Sequence, residues 1–159
     1  MEKDLYIALK QEINKKLPKI KTVGLFNNQF ENESKENPFL YPCVFIQFTP
    51  NSFKDLQQGV QQVDVTLTTH LGFESYKDED VEMLELKQDL YKVVQRLQNG
   101  YGSKLTRDAE RPNYNHNNIQ VYETDYRVLI KDFTADIRPT KEKTVTPVLN
   151  AEIVKANEL

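Results

Sequence analysis

A single cysteine, Cys43, stands in a chain of 159 residues, so no internal disulfide can form. That usage suits a reducing compartment. Histidine is nearly as scarce, with only His70 and His116. The five glycines are scattered. They make neither a dinucleotide-binding fingerprint nor a phosphate-cradling loop, and no serine occupies a nucleophile elbow. No apolar run approaches the roughly 20 residues of a membrane helix, so no membrane partner is expected. The opening residues, MEKDLYIALKQEI, lack an apolar segment and a small-residue cleavage site, so no signal peptide is expected. A basic surplus is missing too: the net charge is -3 and the pI about 5.5. Nucleic-acid binders draw much of their affinity from phosphate contacts, and this balance argues against a dedicated one.

What is present is an ordinary globular mixture, 38% hydrophobic and 28% charged. The length suits one domain with a real core. The organising stretch runs from Val60 to Gly100. Val63, Val65, Leu67 and Leu71 alternate with Asp64, Thr66, Thr68 and His70, which is the period of a half-buried strand. A helix then carries Val81, Leu84, Leu86, Leu90, Val93, Val94 and Leu97. Asp78 or Asp80 is its expected N-cap and Asn99-Gly100 its stop.

Before this stretch, residues 1–17 read as a helix with Leu5, Leu9, Ile13 and Leu17 four apart, ended by Pro18. Residues 19–30 read as a strand and 31–38 as a polar surface loop. The run at 39–49, FLYPCVFIQFT, reads as a central strand that must begin after Pro42. Residues 50–59 read as a connecting loop, in which Phe53 and Leu56 either fold back or await a partner. Beyond the second helix, residues 101–118 read as a polar connection anchored by Tyr101, Leu105 and Tyr114. Residues 119–133 make a strand with Tyr122, Tyr126, Val128 and Ile130 on its core side. The expected fold is α+β: a mostly antiparallel sheet of about four strands with two helices on one face, in the order α-β-β-β-α-β. Residues 1–136 form the domain, and 137–159 a linker and extended C-terminal arm.

Candidate chemistry is thin, and no cofactor is implied. His70 falls on the polar side of its strand, and His116 lies in the loop NYNHNN. No spacing suggests a metal site. Cys43, at the start of an apolar strand, reads as a small buried hydrophobe. Glu74, Asp78, Glu79, Asp80 and Glu82 lack the ligand ladder of a calcium loop and read as a solvated helix start. The chain is therefore not expected to be an enzyme. The alternative of another class is a small metal-dependent phage nuclease using clustered carboxylates and His116.

The helix ending at Pro18, the opening Tyr41-Pro42-Cys43-Val44-Phe45-Ile46, the alternating strand Val63–Leu71, the helix Asp80–Leu97 and a closing strand with Tyr122, Asp125 and Tyr126 share one layout. It resembles that of the tail-terminator (tail-completion) and head–tail joining proteins of long-tailed bacteriophages. The likeness covers roughly residues 1–133, and the tail after Asp136 departs from the family pattern. It implies a structural virion protein of the neck or tail, assembled in the bacterial cytoplasm. Such proteins form a ring, typically a hexamer, that ends the tail tube and joins it to the head. The implied partners are other copies, the tail tube protein and a head-completion or connector protein. DNA would pass through without specific binding. Another head-completion or minor tail protein of the same layout is the alternative within this class. Candidate residues for subunit or partner contact are Phe30, Phe53, Leu56, Val145, Val148, Leu149 and Ile153.

Overall fold

A computed structural model describes residues 2–31, 38–74, 80–97, 102–114 and 119–137. Helix α1 (Glu2–Lys16) leads to β1 (Thr22–Leu25), β2 (Cys43–Gln57) and β3 (Val60–Glu74). Helix α2 (Asp80–Gln95), β4 (Thr106–Asn113) and β5 (Ile119–Asp132) follow. The class is α+β, with both helices on one face of the sheet. The sheet has five strands rather than about four, in the order β1-β2-β3-β5-β4. It is mixed, because β1 runs parallel to β2 while the other pairs are antiparallel.

The stripe of α1 works as its spacing predicts, and that of α2 in part. Leu5, Leu9 and Ile13 of α1 are buried, and the Leu17 N–H still donates to the Ile13 carbonyl before Pro18 ends the turn. In α2 the buried set is Met83, Leu86, Leu90, Val93 and Val94, followed by Leu97. Val81 and Leu84, counted on that stripe from the sequence, lie on the outer side and are exposed. Against these helices the sheet presents Val44, Ile46, Val63, Val65, Leu67, Leu71, Tyr126, Val128 and Ile130.

Two expected loops are strands. Residues 50–59 belong to the β2–β3 hairpin, which turns tightly at Gln58 and Gly59, both at positive φ. Pro50 sits beside a bulge. A proline is tolerated there because β1 covers only Cys43–Ile46, which leaves β2 at the sheet edge. Within the polar connection, β4 reads TRDAERPN and has no apolar alternation to announce it. Its place comes from contacts. Lys87 reaches Glu110 at 2.6 Å, and the Arg107 guanidinium lies 3.9 Å from the Tyr91 ring centre. Leu105 just before it is wholly buried, but Tyr114 is exposed and anchors nothing. Tyr101, Asp78, Glu79, Asn99, Gly100 and the arm from 138 onward lie outside the described residues.

The face of the sheet away from the helices is not simply wet. Gly72 lies beneath the Phe30 ring, where a Cβ would come within 2.6 Å of a ring carbon. Around them Cys43, Phe45 and Val121 form a second small core, edged by Phe26, Phe39, Tyr41 and Ile119.

Leu9→Ala should cost about 2–5 kcal/mol of folding stability, because a cavity opens under α1. Leu84→Ala, on the exposed side of α2, should change it by less than about 0.5 kcal/mol. Urea denaturation of both variants checks the assignment of helix faces.

Candidate functional site

Side chains on the outer face of a strand point away from the helices at every second position. Gln47 and Thr49 on β2, Thr66, Thr68 and His70 on β3, and Glu123 and Asp125 on β5 therefore share one surface. A bulge between Arg107 and Ala109 shifts the register of β4, so that Arg111 stands opposite Glu123 and Asn113 opposite Val121. The segment after β1 folds over this surface and brings Phe26, Asn28, Phe30 and Glu31 to its rim. Asn28 makes the turn possible at a φ of 51°, a conformation asparagine tolerates. The result is a cleft of about 430 Å³.

Arg111 is the clamp of this cleft. Its Nε lies 2.8 Å from Glu123 Oε2 and its Nη1 2.5 Å from Asp125 Oδ2. Thr68 donates to the other Asp125 oxygen at 2.7 Å, and Asn113 donates to Glu123 Oε1 at 2.9 Å. His70 is only 4% exposed, and its ring stacks on Phe26 with centroids 3.8 Å apart and planes 8° from parallel. Either neutral tautomer has a partner. A proton on Nε2 goes to Gln47 Oε1 at 3.1 Å, and one on Nδ1 points towards Glu123 Oε1 at 3.5 Å.

These contacts set the titration behaviour. Burial holds His70 below its ordinary pKa, and the pull of Glu123 the other way is smaller. For Asp125, burial alone would push the pKa up. The bonds from Arg111 and Thr68 outweigh it and hold the carboxyl low. Both acids are thus committed to one guanidinium. That arrangement fastens β4 to β5 and β5 to β3, with little carboxylate left over for a metal. Among the described residues no group of three or more His, Cys, Asp or Glu is placed to hold one. His116, and Asp78 and Glu79 of the acidic cluster, lie outside the described residues.

A second surface lies at the far end of the sheet. The β2–β3 hairpin runs past the reach of β1, and among the described residues nothing pairs with the outer side of β2 from Gln47 to Gln57. Phe53 is 61% exposed and Leu56 38% exposed on this hairpin. Phe53 lines a cleft of about 320 Å³ with Glu2, Lys3, Pro50, Val63, Asp132 and Thr134. After β5 the chain crosses the hairpin tip. The Ile137 N–H donates to the Gln58 carbonyl at 3.1 Å, and a Cβ on Gly59 would strike the Ala135 carbonyl. This crossing adds the exposed Phe133 and Ile137 to the apolar end. Among the described residues, no helix is long and apolar enough to cross a membrane.

The contact residues expected from the sequence are therefore divided. Phe53 and Leu56 are both exposed on the β2–β3 hairpin. Phe30 does not join them: it is buried against Gly72, Phe39 and Phe45 of its own chain. Val145, Val148, Leu149 and Ile153 lie outside the described residues. The sequence reading missed Arg111, Phe133 and Ile137. The available signal for the first was Glu123 and Asp125 two apart on a polar strand face, which need a cation between them.

The sign of the pH dependence follows from the buried imidazole. The neutral ring is favoured in the fold, so its contribution is intact above about pH 6.5 and declines as pH falls below it. Asp125 adds a further loss at lower pH, below about 3.8, as its carboxylate is protonated. Melting temperatures between pH 7.5 and 5 should drop for the natural chain and be flatter for His70→Gln. An unchanged slope in that variant would remove His70 from the account. Compared with models of known protein families and with curated protein sequences, the chain matches none of them.

Proposed function

We propose that this chain works by assembling with copies of itself, as a structural protein of a phage neck or tail. Its copies form a closed ring, a hexamer by the family likeness. The ring ends the tail tube and meets a head-completion or connector protein, and the protein acts without catalysis in the assembled virion. The observation that carries this reading is the far end of the sheet. There the open edge of β2 with the exposed Phe53 and Leu56, and the crossing with the exposed Phe133 and Ile137, share one end of the sheet, beyond the cover of β1. Exposed apolar side chains at an end with an unpaired edge are the material of a subunit contact. The order of helices and long strands, in which α1 precedes three strands and α2 precedes the last pair, also fits the tail-terminator layout. A ring requires one patch to meet a different patch on the next copy with a rotation that closes.

Light scattering should give a single mass several times that of the 18.6 kDa chain. Phe53→Ser combined with Leu56→Ser should lower that mass without changing the far-ultraviolet spectrum. A monomer under all conditions would refute the assembly reading. DNA affinity should be weak, since a chain of net charge -3 displaces few phosphate counterions. Tight binding that weakens steeply with salt would refute passage without specific binding.

A further inference from the structure

We propose that the open edge of β2 is completed by the C-terminal segment from Val145 to Val154 of a second copy of this chain, which adds to the sheet as a further strand. This rests on the assembly reading above and names the two parts that meet.

The two sheet edges are built differently. The outer edge at β4 carries Arg107, Asp108, Glu110, Arg111 and Pro112 within eight residues. Charges and proline are the usual means of keeping an edge from pairing. The open part of β2, QFTPNSFKDLQ, is interrupted by Pro50 and two register shifts, but it carries only Lys54 and Asp55 as charges and exposes two large apolar side chains. It is less heavily guarded than β4. Its backbone groups make no pairing among the described residues, and a strand that added there would satisfy them.

The exit of the chain supplies the strand. The crossing after β5 delivers Ile137 to the Gln58 carbonyl, at one end of the open edge. Continuing antiparallel to β2 in the same copy would set Pro139 and the charged run from Thr140 to Lys143 against the near part of the edge. The same register puts Val148 opposite Gln47, and β1 occupies the edge from Ile46 onward. Leu149, Ile153 and Val154 then find no edge left in their own copy. Extended, the chain between Ile137 and Val145 spans roughly 25 Å. That is enough to clear the hairpin and place the apolar segment on a neighbour. There its side chains meet Phe53 and Leu56.

Hydrogen exchange of the full chain tests this directly, because an edge amide is protected only when something pairs with it. At an assembling concentration, amides between Phe48 and Gln57 that face outward should exchange at least tenfold more slowly than in the diluted monomer. In the full-length variant Leu149→Pro with Ile153→Pro that protection should vanish and the assembled mass should fall, with the melting temperature of the diluted monomer unchanged. A ring that persists in this variant with its edge still protected would overturn the strand addition while leaving assembly standing. Protection that survives dilution to monomer would show the edge filled within one copy, and would overturn the second-copy assignment. A natural chain that never assembles would remove the assembly reading itself, and this inference with it.

Discussion

From Leu67 to Phe73, strand β3 is buried on both of its faces, yet helices cover only one. Val63, Val65, Leu67 and Leu71 face α1 and α2, while Thr68 and His70, pointing the other way, are buried as deeply. A polar side chain removed from water must find a partner or lose stability. The outer face therefore has to supply both cover and hydrogen bonds. Aromatic rings from the chain between β1 and β2 provide the cover. Gln47, Glu123 and Asp125 from the flanking strands accept the bonds.

The same requirement accounts for β4. Two carboxylates side by side on β5 repel each other unless a cation is shared between them. Arg111 is that cation, and its strand adds to β5 with the register that brings it there. On the helix side Glu110 and Arg107 of the same strand reach Lys87 and Tyr91. A segment with almost no apolar content is thus held by charge from two sides. This explains why it forms a strand despite weak propensity.

Much of this was legible in the chain and some was not, for definable reasons. The stripe of α1 and the alternation of β3 were read correctly because burial on one side leaves a strict period. The face of α2 was over-extended, because Val81 and Leu84 are apolar without being inward. Pro50 and the polar letters around it suggested a loop. An edge strand tolerates both, and nothing local marks a strand as an edge. Phe30 was expected at a contact with a partner. Its burial depends on Gly72, 42 positions later, having no side chain. The Arg111 clamp was hidden for the same reason: it joins residues distant in the chain through a bulge that shifts one register.

The crossing at 133–137 has a mechanical meaning. It ties the end of β5 to the tip of the β2–β3 hairpin, so the three longest strands share one terminus. Tension applied outward along the strand direction through the C-terminal segment would load the β3–β5 ladder in shear, with all its bonds sharing the strain at once. An unzipping geometry would break them one by one. The end of the molecule that carries the exposed rings is therefore also the end best braced against being pulled.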